Sequence, residues 1–260
     1  MNTLLSVEHL GARLGGVQAL ADLSFVAREG RITALIGPNG AGKTTAINCV
    51  SGVYRPQDGQ VFLDGRPILG LPIHRLACRG LARTFQNLQV FAEMSALENV
   101  MLGLHASTGL DFLAAILRWP GFAAQERRIA QKAREMLERV GLGDHGRTPA
   151  GDLAYGDQKR LEIARALVGR PRLVLLDEPA AGLDPRETEQ MAGLIQDIRR
   201  QGSTVVLVEH DMDLVMELSD WVVVLHYGRK IAEGTPAQVQ AHPQVIEAYL
   251  GCEPLELAIA

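Results

Sequence analysis

The stretch Gly37-Pro38-Asn39-Gly40-Ala41-Gly42-Lys43-Thr44-Thr45 follows directly on the apolar, β-branched run Ile32–Ile36. A strand, a glycine-rich loop and a helix in this order are typical of a phosphate-binding loop, because glycine lets successive backbone N–H groups turn toward an anion. The helix N-terminus and the Lys43 ammonium add positive charge for the β- and γ-phosphates, and the Thr44 hydroxyl suits Mg²⁺. A turn that only enters a helix would not need Lys and Thr at these offsets. The stretch therefore predicts a nucleotide-binding α/β protein.

Composition places the chain among ordinary globular proteins. Its 260 residues are 47% hydrophobic and 22% charged, which is enough to bury a substantial core. The formal net charge of -4 gives no general attraction to nucleic acid, so we expect no nucleic-acid partner. No apolar run approaches the ~18 to 20 residues that a membrane-spanning helix needs, and the first residues lack a signal-peptide pattern. We expect a chain that is neither exported nor membrane-spanning by itself.

The cysteines do not indicate a metal site or a disulfide framework. There are three, Cys49, Cys78 and Cys252, and they are scattered without the spacing of metal ligands. We therefore predict reduced thiols, in the core or on the surface, of a cytosolic protein.

Short apolar segments predict a sheet-rich N-terminal part. They lie near residues 4–10, 20–26, 31–36 and 59–64 and are separated by glycine-rich or charged turns. Further strands are predicted at 172–177, 204–208 and 221–226, with a charged helical pattern over Pro185–Arg200 between the first two. Because strands and helices alternate there, we expect a parallel sheet.

A helical region is predicted between the two groups of strands. One face of the segment 123–140 is apolar, and its members are Ile129, Ala133, Met136, Leu137 and Val140. A shorter pattern covers 111–118, and Trp119-Pro120-Gly121 separates the two helices. The fold class that results is α/β: a P-loop NTPase core with a mixed or parallel sheet, an N-terminal antiparallel β subdomain and an inserted α-helical subdomain. We assign residues 1–87 and 166–250 to the core, 88–165 to the helical subdomain and 251–260 to a tail. We expect the tail to fray, with docking on this chain or on a partner as the alternatives.

An acidic pair ends the first strand after the helical region. Asp177 and Glu178 stand directly after the apolar run 173–176. The carboxyl end of a strand is where α/β sheets bind their ligands. We therefore assign Asp177 to Mg²⁺, directly or through water, and Glu178 to polarising the water that attacks the γ-phosphorus. A solvated acidic turn before Pro179 is the alternative when the pair is taken alone.

Gln86 and His210 are further candidates for the same chemistry. Gln86, in Arg83-Thr-Phe-Gln86-Asn, opens the predicted helical region, where it would reach the metal or the attacking water and sense the position of that region. His210 follows the predicted strand 205–208 and is placed to donate to the γ-phosphate. The alternatives are a polar surface role for Gln86 and, for His210, a helix entry in which Asp211 is the cap.

The segment Leu153-Ala-Tyr155-Gly156-Asp157-Gln158-Lys-Arg-Leu-Glu162-Ile-Ala-Arg165 resembles the signature motif of ATP-binding cassette (ABC) ATPases. In that family the turn opens a helix and presents amides to the γ-phosphate of an ATP that a partner subunit holds. The motifs occur here in the family's order: phosphate loop, Gln86, signature, Asp177-Glu178, Ala181-Gly-Leu-Asp184 and His210.

This resemblance covers residues from about 4 to 250 and implies ATP and Mg²⁺ as cofactors. The implied catalytic residues are Glu178, His210 and Gln86. The implied nucleotide contacts are Leu14, Val17, Asn39, Gly40, Ala41, Gly42, Lys43, Thr44, Thr45, Tyr155, Gly156 and Asp157. The implied metal ligands are Thr44, Gln86 and Asp177.

Two positions depart from the family pattern. The usual signature has a serine and two glycines after its leucine, whereas this chain has Ala154, Tyr155 and Gly156, so a hydroxyl donor to the partner's γ-phosphate is lost. This loss predicts a heterodimer with unequal ATP sites. The family's adenine-stacking aromatic is replaced by Leu14 before Gly15-Gly16, with Val17 assisting, which predicts modest selectivity for ATP over GTP.

Within the family the motifs are most similar to an ATPase subunit of bacterial importers for branched-chain amino acids. The partners so implied are a second ABC ATPase, two transmembrane permease subunits and, indirectly, a periplasmic binding protein, at the cytoplasmic face of the inner membrane. A groove near Gln86 and Phe91 would receive a permease helix, with core packing of Phe85 and Phe91 as the alternative. Other readings are a cassette ATPase for another cargo, such as urea or a lipid-type substrate, and a soluble cassette protein that acts on DNA or ribosomes.

Overall fold

The computed structural model describes residues 2–108 and 122–250. These residues fall into two compact units, one of residues 2–70 with 204–250 and the other of residues 71–108 with 122–203. The predicted pattern at 111–118, the break at Trp119-Pro120-Gly121 and the tail 251–260 lie outside the described residues. The subdomain boundaries drawn from the sequence stay a prediction.

An antiparallel sheet opens the first unit, as the sequence predicts. Strand β1 (Thr3–Leu14) pairs with β2 (Val17–Arg28) across the turn Gly15-Gly16 and, on its other side, with β4 (Asp58–Leu63), which pairs with β5 (Arg66–Pro67). The register places Leu5 opposite Leu63 and Val7 opposite Val61, all of them buried. Cross-strand apolar pairs of this kind fix the register of a sheet that has one buried face.

The parallel strands of the first unit surround β3 (Ile32–Ile36). This strand pairs in parallel with β8 (Thr204–Val208) and with β9 (Trp221–His226), and β10 (Arg229–Gly234) adds antiparallel to β9. All residues of β3 and β8 are buried, which explains their continuous apolar sequences. The predicted strands at 31–36, 204–208 and 221–226 are confirmed.

The described residues of the first unit form four helices. They are α1 (Lys43–Val50), α7 (Met212–Leu218), α8 (Pro236–Gln240) and α9 (Pro243–Leu250). One cluster of buried side chains joins α7, α8 and α9 to β3 and β9, and it contains Ala34, Ile36, Val215, Val222, Val224, Val239 and Val245. This packing covers one face of the parallel strands and so holds β3, which leads into the phosphate loop.

In the second unit, the part of the chain that the structure describes combines two parallel strands with helices. Strand β6 (Leu81–Arg83) pairs with β7 (Leu173–Asp177). The helices are α2 (Ile73–Cys78), α3 (Ala96–Thr108), α4 (Phe122–Arg139), α5 (Tyr155–Leu167) and α6 (Pro185–Arg200), with short 3-10 turns at Gly143–His145 and Ala150–Asp152. The predicted helix over 185–200 is confirmed, and Asp184 with Glu187 forms a capping box at its start.

The apolar face predicted over 123–140 is confirmed. Its five members, Ile129, Ala133, Met136, Leu137 and Val140, are all buried, and α4 contacts both α3 and α5. No helix among the residues that the structure describes is long and apolar enough to cross a membrane.

Candidate functional site

The phosphate loop connects β3 to α1 and is held by close backbone contacts. A side chain at Gly37 would collide with the Leu225 carbonyl oxygen, and one at Gly42 would come within 2.6 Å of the Ala19 carbonyl oxygen. Both glycines have positive φ, 148° and 102°. The Gly228 N–H donates to the Ala41 carbonyl oxygen at 2.9 Å. Strand β2 and the β9–β10 turn therefore shape this loop.

Lys43 points its ammonium back into the loop. The nitrogen donates to the carbonyl oxygens of Gly37 at 2.6 Å and Pro38 at 3.1 Å, and the residue is 7% exposed. Thr44 and Thr45 are half-buried in the first turn of α1, whereas Asn39 and Gly40 are exposed at the loop's tip. Because the N-cap residue is Gly42, which has no side chain, no capping group would compete with an anion for the first amides of α1.

Leu14 and Val17 face each other across the β1–β2 turn. They are paired in the register of these strands and are 42% and 70% exposed. Large apolar side chains so exposed offer a surface on which a flat ring can pack. This is the aliphatic pair that the sequence predicts in place of an adenine-stacking aromatic.

Asp177 closes β7 as a buried carboxylate. Its Oδ2 atom lies 3.0 Å from Nη2 of Arg83, and its backbone N–H donates to the Thr84 hydroxyl at 3.3 Å. Burial lowers the pKa of Arg83, and the attraction and hydrogen bond of Asp177 oppose that change. Arg83 and Thr84, at the end of β6 and directly after it, therefore orient the predicted metal ligand.

Glu178 and Gln86 come together in the second unit. The Gln86 side-chain amide donates to Oε2 of Glu178 at 3.1 Å, and Gln86 is exposed. Glu178 has a φ of 51°, in the left-handed region that residues with a Cβ rarely adopt. A strained carboxylate residue beside an exposed amide suits a position from which water is held and polarised.

The signature turn starts α5. Tyr155 is 47% exposed, with its hydroxyl 3.5 Å from the Ala181 carbonyl oxygen. Gly156 is buried against the Glu187 carboxylate, which a side chain at this position would strike. Asp157 forms an ion pair with Arg160 within the first turns. The segment is thus packed on the turn that precedes α6.

His210 presents its ring to solvent in the first unit. The side chain is 60% exposed, with Nδ1 3.8 Å from the buried carboxylate of Glu209. Asp211 is the N-cap of α7, and its carboxylate accepts from the Leu214 N–H at 3.1 Å. Because Asp211 supplies the cap, the imidazole of His210 keeps its polar atoms for other contacts.

Sequence reasoning missed three charged residues. Arg83 lies in the same motif as Gln86, and its ion pair with Asp177 was not predicted. Glu187 lies against Gly156 of the signature. Lys159 is buried, with its ammonium 3.2 Å from the Glu178 carbonyl oxygen. The spacing offers one signal for Lys159, since it precedes the buried Ile163 by four residues and so shares its helix face. The other two interactions join residues that are distant in sequence.

The donor atoms of the predicted metal ligands fit Mg²⁺. Thr44, Asp177 and Gln86 each offer an oxygen, which is the donor this ion prefers, and Mg²⁺ usually takes only one or two protein ligands beside phosphate oxygens and water. Within residues 2–108 and 122–250, no three His, Cys, Asp or Glu side chains gather into a metal site.

Two family models match the chain. The model described as ABC transporter covers residues 20–181. The model described as branched-chain amino acid ATP-binding cassette transporter covers residues 229–251.

Relatives match over nearly the whole chain. The high-affinity branched-chain amino acid transport ATP-binding protein BraF of Pseudomonas aeruginosa is 46% identical over 249 residues, which are 95% of this chain and 98% of that protein. The corresponding LivG protein of Escherichia coli K12 is 43% identical over the same shares. The crystal structure of the ADP conformation of MJ1267, an ATP-binding cassette of an ABC transporter, superposes with a TM-score of 0.84 at 30% identity, over 96% of this chain and all of that one.

Proposed function

The chain belongs to the ABC transporter family, and from this premise we propose that it is the ATP-hydrolysing subunit of a bacterial importer for branched-chain amino acids. The observation that carries the ATPase assignment is the 3.1 Å hydrogen bond between Gln86 and Glu178, directly after the strand that ends in Asp177. The cargo is supported by the branched-chain model over residues 229–251 and by the names of the relatives.

The phosphate loop binds ATP through its amides and Lys43. The residues that would contact the nucleotide are Leu14, Val17, Asn39, Gly40, Ala41, Gly42, Lys43, Thr44 and Thr45. Thr44, Gln86 and Asp177 would hold Mg²⁺, which supplies neutralisation of charge on the phosphate oxygens. Lys43 is already held inside the loop by two carbonyl oxygens, so little ordering is needed when it turns to a phosphate.

Glu178 polarises the attacking water as a general base. Gln86 holds that water, or the metal, from its position beside the Glu178 carboxylate, and His210 donates to the γ-phosphate. The exposed ring of His210 is free to turn, since Asp211 caps α7 in its place.

A second ABC ATPase is the expected partner. Tyr155, Gly156 and Asp157 would contact the ATP of that partner at the N-terminus of α5. Because this signature lacks the usual serine, the site that it completes is the weaker one, and the pair is a heterodimer with unequal sites. The heterodimer carries one catalytic glutamate per subunit. Equal ATP occupancy, with equal loss of hydrolysis when either glutamate is changed, would contradict this asymmetry.

Membrane subunits are the remaining partners. Phe91 is 55% exposed, with the Arg165 guanidinium 5.9 Å from its ring, which offers a mixed apolar and cationic surface to a permease helix. Its exposure does not favour core packing as the alternative role. The chain would then be peripheral at the cytoplasmic face of the inner membrane, and a periplasmic binding protein would deliver the cargo.

The test is ATP hydrolysis by the assembled importer. The chain is co-expressed with its permease and partner ATPase subunits, reconstituted into liposomes, and assayed with and without a leucine-loaded binding protein. We expect stimulation by leucine. Hydrolysis that ignores all branched-chain amino acids would discard the cargo and leave another one, such as urea or a lipid-type substrate. Co-purification with RNA or DNA instead of membrane subunits would indicate a non-transport cassette ATPase.

A further inference from the structure

Lys159 is a buried charge to which the proposed reaction assigns no role. It is 3% exposed, on α5, and its ammonium nitrogen lies 5.6 Å from the ring of the signature residue Tyr155. Removing an ammonium from water is unfavourable unless hydrogen bonds or opposite charges compensate. The inward orientation of Lys159 therefore requires compensating contacts.

Part of the compensation comes from Glu162, one turn later on the same helix. Burial raises the pKa of Glu162, and a hydrogen bond from the Phe85 N–H and the charges of Arg165 and Lys159 oppose that rise. The carboxylate and the two cations thus form a set of mixed sign along α5, in which Lys159 and Glu162 are buried and Arg165 is half-buried.

The hydrogen bond of Lys159 goes to the backbone of Glu178. The ammonium donates to the Glu178 carbonyl oxygen at 3.2 Å. The same oxygen accepts the Ala181 N–H, also at 3.2 Å, which closes the turn after β7. A carbonyl oxygen has two lone pairs, so both bonds fit. Donors from the signature helix and from the turn therefore converge on one peptide group.

That peptide group belongs to a residue with a strained backbone. Glu178 has a φ of 51°, which is sterically disfavoured for a residue with a Cβ and persists only where neighbours hold it. The backbone sets the direction of the Cα–Cβ bond and thereby the direction of the carboxylate. In this conformation the carboxylate reaches the Gln86 amide at 3.1 Å.

We infer that Lys159 is a positioning residue for ATP hydrolysis: its buried ammonium, bound to the Glu178 carbonyl, fixes the left-handed backbone that presents the Glu178 carboxylate. This inference rests on the proposed function, in which Glu178 polarises the attacking water. Because Tyr155 and Lys159 lie on successive turns of α5, the backbone of Glu178 is tied to the helix that begins with the signature. A displacement of α5 changes the hydrogen bond on which the carboxylate's direction depends.

The test compares kcat and KM for Mg-ATP in the reconstituted assembly. Lys159→Met keeps the apolar stem and removes the donor, and should lower kcat about 10- to 100-fold with KM changed less than about threefold. Lys159→Arg keeps charge and donors and should restore most of kcat. Lys132→Met removes an exposed lysine of α4 and should change neither constant. Lys159→Gln, one bond shorter and uncharged, repeats the loss if the Met variant fails to fold.

A double-substitution cycle separates positioning from a general structural effect. In a Glu178→Gln background, Lys159→Met should lower the residual rate no further, because the group that it positions is already gone. An equal fold-loss in both backgrounds overturns the inference. So does a wild-type kcat in Lys159→Met or Lys159→Gln, or the same loss in Lys159→Arg as in Lys159→Met.

The failure of this inference is distinguishable from failure of the proposed function. If the wild-type assembly does not hydrolyse ATP, or if Glu178→Gln hydrolyses it normally, both are wrong. If hydrolysis depends on Glu178 but is insensitive to Lys159, only the positioning role is wrong.

Discussion

The guanidinium of Arg83 lies 3.0 Å from the Asp177 carboxylate, with side-chain exposures of 7% and 0%. The two residues are in neighbouring parallel strands, β6 and β7, where the register places Arg83 beside Leu175. A buried ion pair of this kind contributes less to stability than its distance suggests, because both ions lose water. Its main consequence appears when one partner is removed.

Arg83→Met should lower the free energy of unfolding by about 3 to 5 kcal/mol, because it leaves the Asp177 carboxylate buried without its guanidinium. Urea unfolding measures the change. The matched control is Arg200→Met, which breaks the exposed Arg200–Asp197 pair of 2.8 Å and should cost only about 0 to 1 kcal/mol. Similar small losses in both variants would contradict the buried role of Arg83.

Glu178→Gln should retain ATP binding and lower turnover about 100-fold or more, since the amide is a poor base. The neighbouring Gln86 hydrogen bond tolerates either side chain. Lys43→Ala should weaken ATP binding itself. Glu189→Gln, at an exposed glutamate of α6, is the matched control and should leave binding and turnover unchanged. Unimpaired hydrolysis by Glu178→Gln would remove the catalytic assignment.

Gly156→Ala should destabilise the second unit by about 1 kcal/mol or more. The new methyl strikes the Glu187 carboxylate, whose other oxygen accepts the Asp184 N–H at 3.1 Å in the capping box of α6. Gly193→Ala, in the exposed interior of the same helix with nothing within 4 Å, should instead stabilise by roughly 0.5 to 1 kcal/mol. Thermal unfolding of the two variants should therefore shift in opposite directions.

Cys49 should resist alkylation in the folded protein. Burial raises the pKa of its thiol to about 12, so the reactive thiolate is scarce at pH 8. The exposed Cys78 should be labelled by iodoacetamide, and Cys49 should be labelled only in urea, as read by peptide mass spectrometry. Because the unfolded thiol ionises near 9.0, the folded state binds more protons above that pH, and stability should fall as pH rises from there toward 12.

Leu14→Tyr should tighten ATP binding about fivefold or more, because base stacking on an aromatic ring contributes roughly 1 to 3 kcal/mol and 1.4 kcal/mol is about tenfold. The wild-type chain, with aliphatic Leu14 and Val17, should bind ATP and GTP within about tenfold of each other. Competition with a fluorescent nucleotide measures both. Val26→Tyr, at an exposed position near the far end of β2, should change neither affinity. Strong adenine selectivity in the wild type would contradict this interpretation.

The elements that were predictable from the sequence are those whose burial is continuous or periodic. Strands β3 and β8 are buried at every residue, and α4 buries one face. Elements α2, β6 and β10 were not predicted. Strand β10 has one buried residue, Gly234, so its sequence carries no apolar pattern, and its position depends on pairing with β9.

For the site, local motifs were predictable and contacts between them were not. The offsets of Lys43 and Thr44 follow from the loop itself. The contacts of Arg83 with Asp177 and of Lys159 with Glu178 join residues far apart in sequence, and neither is implied by composition or spacing. The left-handed backbone of Glu178 likewise results from the turn around it.

The phosphate loop is a poor module for transplantation. Only glycine fits at positions 37 and 42, because a side chain there would collide with the carbonyl oxygens of Leu225 and Ala19, respectively. A side chain at position 228 would likewise come within 2.6 Å of the Ala19 oxygen. If only the nine-residue motif Gly37–Thr45 were moved to another scaffold, its sequence would be transferred without the neighbouring backbone segments that hold the loop in shape. A successful graft must carry the start of β2 and the β9–β10 turn as well.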